Sequence, residues 1–128
     1  MDNIFLIKTL YESFRKKDYD TVRQLCSSDI EWIQNKGFPN GAHHKGIETV
    51  IEKVFKGFAN DWSSFGFEAK EYLGSDSTVT VLGHYYGQHL KTGKNFKAST
   101  AHVYNIHHGK VIRFRQYTDT QIIVASMQ

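Results

Sequence analysis

The chain has 128 residues, 40% hydrophobic and 23% charged, with sixteen basic side chains against thirteen acidic ones and a formal charge of +3. That is the length of one domain around one core, and its Lys and Arg residues are too few and too scattered for a nucleic-acid footprint. A single cysteine, Cys26, excludes an intramolecular disulfide and has no partner for a metal site; no apolar run reaches membrane-spanning length and the start lacks a signal-peptide pattern, so a cytoplasmic protein without membrane contact is expected.

Ile4, Ile7, Leu10, Tyr11 and Phe14 recur at helical spacing, with Lys8, Glu12, Ser13 and Lys16 opposite them. Asp18 is placed to cap a second, shorter helix that buries Tyr19, Val22, Leu25 and Cys26. Asp29 to Ile33 reads as a strand, and Asn35 to Gly46, with the only proline and three glycines, as a loop. The helical period returns at Ile47, Val50, Ile51, Val54, Phe55 and Phe58, and Glu48 suits the first turn of that helix.

The rest reads as strand. Phe65–Leu73, Thr78–His89, Asn95–His107 and Lys110–Asp119 alternate at period two and are separated by turns at Gly74–Ser77, Lys91–Lys94 and His108-Gly109. Three helices followed by a four-stranded meander predict an α+β domain over residues 1–128, its helices on one face of a curved antiparallel sheet.

Several short strings in this order resemble SnoaL-like proteins of the nuclear-transport-factor-2-like, ketosteroid-isomerase-like group. They are Lys17-Asp18-Tyr19-Asp20, Asp29-Ile30-Glu31-Trp32, Lys45-Gly46-Ile47, His108-Gly109-Lys110-Val111 and Arg113-Phe114-Arg115-Gln116-Tyr117-Thr118-Asp119. The resemblance implies a cone-like barrel with an apolar pocket for a small apolar or aromatic molecule, and a homodimer formed through the outer face of the sheet. It does not fix a reaction, because one architecture hosts many.

Two departures narrow the chemistry. Where ketosteroid isomerases carry their base carboxylate this chain has Gln34, and Ala101 aligns with their protonated acid; Tyr11 falls one residue out of phase with their helical tyrosine. An epoxide-hydrolase-like Asp-Arg-Asp set is missing too, since Asp119 is the only acid the last two strands offer. The resemblance to SnoaL-like cyclases implies Asp119 as general base and His102 as its partner, with Trp32, His84, Tyr86, Tyr117, Phe14 and Phe55 lining the pocket. A carboxylate among apolar rings would gain basicity by losing hydration. Asp119 capping a terminal turn remains the alternative. No cofactor is expected, and no metal: His43, His44, His84, His89, His102, His107 and His108 show no ligand spacing. An acid–base isomerase, cyclase or lyase acting next to a carbonyl, a non-catalytic binding module, and a dimerisation domain without ligand all stay open.

Overall fold

The computed structural model describes residues 2–39, 41–57 and 60–128. Helix α1 (Asn3–Arg15) is capped by Asp2, whose carboxylate accepts the Phe5 N–H at 2.8 Å. Its buried face is Leu6, Ile7, Leu10 and Ser13. The periodicity places Ser13 on the wet side, yet it is buried, because its hydroxyl donates to the Thr9 carbonyl at 2.8 Å and leaves no polar group unmatched. Lys17 stops the helix in the left-handed region (φ 58), where the Asp18 N–H reaches back to the Ser13 carbonyl.

Asp18 caps α2 (Tyr19–Leu25) through the Thr21 N–H, as expected. Cys26, expected in that helix, instead opens β1 (Cys26–Ile33) and is buried there. Part of the anticipated loop forms a short strand, β2 (His43–Lys45), antiparallel to β1. Helix α3 (Ile47–Val50) runs into a π-helical turn, Ile51–Phe55, closed by the Lys56 N–H on the Ile51 carbonyl at 3.0 Å. Phe58, at the end of the expected apolar stripe, lies outside the described residues.

The meander is present as β3 (Trp62–Gly74), β4 (Thr78–His89), β5 (Asn95–His107) and β6 (Lys110–Thr118). His108 and Gly109, both at positive φ (51 and 74), make the tight turn that their sequence suggests. Strand order is β2-β1-β6-β5-β4-β3, antiparallel throughout except for the β1–β6 pair. A last helix, α4 (Thr120–Ser126), has no counterpart in the periodicity reading; it is too short to show a strong pattern.

The sheet curves around the helices. Bulges interrupt β3 between Ala69 and Glu71, and Gly83 opposite them allows the close approach: a Cβ there would lie 2.0 Å from the Glu68 carbonyl oxygen. Leu6, Ile7 and Leu10 of α1 with Val50 and Ile51 pack onto Val79, Val81, Tyr104 and Phe114 as the main core, and each fully buried side chain of this kind contributes about 1.5–3 kcal/mol. A second cluster, Phe38, Trp62, Tyr85, Phe96, Ala98 and Ile123, forms where α4 folds over the sheet. The fold is the α+β cone that the sequence predicts.

Candidate functional site

Alternation along β5 turns Phe96, Ala98, Thr100, His102, Tyr104 and Ile106 inward, and all six are buried. His102 sits between Val81 of β4 and Gln116 of β6 in register, and only 3% of its surface is exposed. Its ring lies flat on Phe67 with centroids 4.1 Å apart and meets Phe114 at 4.8 Å. Tyr11, delivered by α1, contacts Nδ1 through its hydroxyl at 2.7 Å, and Tyr85 contacts Nε2 at 2.7 Å. Gln116 Nε2 reaches the Tyr85 hydroxyl at 2.7 Å.

The direction of this chain follows from its anchored end. The backbone N–H of Asn35 can only donate, and it bonds Gln116 Oε1 at 3.1 Å. The amide nitrogen of Gln116 therefore faces Tyr85 and donates to its oxygen. The Tyr85 hydroxyl proton is then free for His102 Nε2, which leaves Nδ1 as the protonated nitrogen, donating to Tyr11. The opposite order would leave the buried Tyr85 proton without an acceptor, at a cost of about 1–3 kcal/mol. Tyr11 in turn shares a side-chain hydrogen bond with the buried Tyr104 hydroxyl, so the run continues from His102 through Tyr11 to Tyr104.

Burial pushes the His102 pKa down to about 3, so the imidazole is neutral at pH 7. Burial also raises the Tyr11, Tyr85 and Tyr104 hydroxyls above the ordinary tyrosine value. Among the described residues the buried polar side chains are Ser13, Gln34, His89, Thr100, His102, Gln116 and Ser126, with no acid in the set. Such a site can donate hydrogen bonds to an oxygen atom. It is a poor proton acceptor, since an imidazole of that pKa has little basicity.

The structure does not bring Asp119 to His102. Gln116 and Phe114 face inward, so Tyr117 faces out, and β6 ends at Thr118. The exposed Asp119 carboxylate caps α4 by accepting the Ile122 N–H at 3.4 Å. A bulge that could have turned it inward occurs at the other end of the strand, beside Ile112. His84 and Tyr86 are likewise on the outer face, His84 beside Glu68 at 3.4 Å and Tyr86 45% exposed over Gly66. Of the expected wall residues, Tyr86 and Tyr117 thus belong to the outer surface, and His84 points to the same side with its side chain 12% exposed.

Trp32, Phe14 and Phe55 do lie inside, as a group: Phe14 and Phe55 stack at 3.8 Å, and Trp32 stacks on Phe114 at 3.8 Å. Tyr85 and Gln116 escape the sequence reading, although the valine-rich phase of β4 (Val79, Val81, Tyr85) marks the buried side. Around His102 the interior is filled by rings. Two clefts of about 570 and 390 Å³ open elsewhere, beside Arg113 and Arg115 on the outer face and along α1 at Lys8 and Glu12. No group of three His, Cys, Asp or Glu suited to a metal ion occurs among the described residues.

Residues 7–114 match the SnoaL-like domain. The chain belongs to the SnoaL-like family. Among solved structures, it is similar to a nuclear-transport-factor-2-like protein from Burkholderia thailandensis, 27% identical, with TM-score 0.90 over 96% of this chain and 95% of that one. TerC, co-crystallised with polyporic acid, shares the fold at 20% identity and TM-score 0.86, covering 98% of this chain and 97% of that one. IdmH from Streptomyces antibioticus, a candidate polyketide cyclase, does so at 16% identity and TM-score 0.81, covering 99% of each chain. No curated protein matches this SnoaL-like chain.

Proposed function

We propose that this SnoaL-like protein binds a small, flat, largely apolar molecule inside the cone, holding a carbonyl or hydroxyl oxygen of that molecule at the Tyr11 hydroxyl, which exchanges its hydrogen bond to Tyr104 for one to the ligand. The observation that carries the reading is the His102 chain: a neutral, directed run of hydrogen bonds that reaches the paired Tyr11 and Tyr104 hydroxyls in a ring-lined interior. Structural networks of this kind also stabilise folds, but an all-apolar interior would serve stability without it. Entry of a ligand requires the half-buried, stacked rings of Phe14 and Phe55 to move aside.

Isomerase or cyclase chemistry next to a carbonyl needs a base near the reacting carbon; the buried set holds no acid side chain, and the His102 imidazole, its pKa pushed down to about 3, is too weak a base. Binding is therefore the better-supported reading, with carbonyl polarisation by Tyr11 as the chemistry available to it.

Calorimetric titration with 2-naphthaldehyde tests this. Saturable binding is expected, weakened about tenfold by Tyr11→Phe, the usual worth of one good hydrogen bond, while naphthalene binds both proteins alike. Failure of the aldehyde to bind, or indifference to the substitution, defeats the proposal.

The outer face supports a second element of the proposal, a homodimer. Leu82, Ala101 and Tyr117 stand in one row across β4, β5 and β6, with Leu82 37% and Tyr117 53% exposed. An apolar row on a sheet face is the kind of surface that a two-fold partner covers.

A further inference from the structure

The inner face of β1 carries a polar group that the fold leaves unused. Trp32 is 3% exposed, and its indole Nε1–H, shut off from solvent, has no hydrogen-bond partner. Gln34, just past the end of β1 and two residues on, is 7% exposed and makes no side-chain hydrogen bond among the described residues, so its amide is available beside the orphan without being one itself. A buried donor left unpaired costs about 1–3 kcal/mol, and natural interiors carry few of them. Here the orphan stands close to the matched network: the Asn35 N–H that anchors Gln116 is three residues on from Trp32.

The surroundings of Trp32 are rings rather than polar atoms. Its indole stacks on Phe114 and meets Phe14 and Phe55 edge-on, with centroids 6.0 and 5.6 Å away. An N–H directed at a phenyl face recovers only a weak contact. Phe14 and Phe55 are only half-buried, and Phe55 ends the π-helical turn Ile51–Phe55, the kind of helix irregularity that recurs at functional sites. The Phe114 ring lies between the two polar regions, 3.8 Å from Trp32 and 4.8 Å from His102.

We infer that Trp32 Nε1–H and the Gln34 amide form a second anchor, which recognises an oxygen at the end of the ligand opposite the one held by Tyr11. The ligand class is then narrower than an apolar carbonyl compound: a flat ring system with oxygen functions at two ends. This rests on the binding reading above. Loss of an orphan donor on ligand binding gives the site its selectivity, because a compound with a single oxygen leaves Trp32 unpaired in the complex as well.

The test compares 2-naphthaldehyde with 6-hydroxy-2-naphthaldehyde, which adds one oxygen at the far end of the same ring system, by calorimetry on the full chain. The wild type should bind the hydroxylated compound about tenfold more tightly, and Trp32→Phe should erase that preference, binding the two compounds within about twofold of each other. Gln34→Leu should reduce it in part. A second readout needs no variant: the indole N–H proton resonance of Trp32, told apart from that of Trp62 by Trp62→Phe, should move downfield with 6-hydroxy-2-naphthaldehyde and stay near its free position with 2-naphthaldehyde. Equal affinity of the two compounds for the wild type, an unmoved indole resonance, or equal weakening of both by Trp32→Phe overturns the second anchor alone. If neither compound binds the wild type, the binding reading falls and the anchor with it.

Discussion

Val81, His102 and Gln116 form a row across the inner face of the sheet; Leu82, Ala101 and Tyr117, each one residue further along or back, form a row across the outer face. The inner three are at most 3% exposed, whereas Leu82 and Tyr117 are 37% and 53% exposed. An offset of one residue separates an imidazole that stays neutral at pH 7 from a surface open to water and to other molecules. Strand phase therefore decides chemistry here, and a one-residue slip would exchange the two faces.

The outer row gives the largest expected effect. If it is the dimer surface, wild-type protein should sediment at twice the 14.8 kDa chain mass, and Leu82→Glu should weaken association by about 100-fold or more, as a charge at the centre of an apolar contact does. A wild type that remains monomeric at tens of micromolar, a concentration at which obligate pairs of this size persist, would leave the apolar row without a partner and break that half of the comparison.

The inner row is tested by pH. The His102 pKa is about 3 in the folded chain and 6.5 when unperturbed. Below 6.5 the unfolded chain takes up a proton that the folded chain refuses, so stability is complete above that value and falls as pH drops toward 3. Between about pH 8 and about pH 5.5 the loss from this one group is about 1.4 kcal/mol. Urea denaturation at the two pH values should show that difference in the wild type and not in His102→Gln, whose amide keeps hydrogen-bonding capacity without a titrating proton. Equal slopes in the two proteins would mean that the imidazole is hydrated in the folded state, and the directed chain from Gln116 to Tyr11 would lose its basis.

The same contrast of faces explains what was legible in the sequence. The meander, the capped helices and the His108-Gly109 turn rest on local signals, namely alternation, helical spacing and turn residues, and these were readable. His102 enters as a candidate through the resemblance to SnoaL-like cyclases, and the alternation along β5 places it on the buried side with Thr100 and Tyr104. The resemblance puts His84, Tyr86 and Tyr117 in the pocket, whereas strand phase turns them outward: the valines at 79 and 81 mark the buried side and with it Tyr85. The partners of His102 come from residues 11, 85 and 116, and no local pattern announces contacts between such distant positions. Trp32 was found for its ring; that its N–H would be left unpaired depends on three-dimensional surroundings alone.

Asp119 offers the smallest effect and the sharpest boundary between the two regions. Its sequence position suits either a pocket base or a helix cap, and in the structure its one side-chain hydrogen bond is a long cap on Ile122. Caps of this type contribute about 0.5–1 kcal/mol, so Asp119→Ala should lower stability by that amount in urea denaturation. Helix α4 would stay in place, since Ile123 is fully buried against Phe96 and Ala98, and Thr92 Oγ1 holds the Ser126 carbonyl at 2.5 Å. Affinity for 2-naphthaldehyde should change less than about twofold, because a surface carboxylate outside hydrogen-bond range of the ligand is screened by water. A tenfold loss of affinity at unchanged stability would return Asp119 to the interior chemistry and would require β6 to bend differently when ligand is bound.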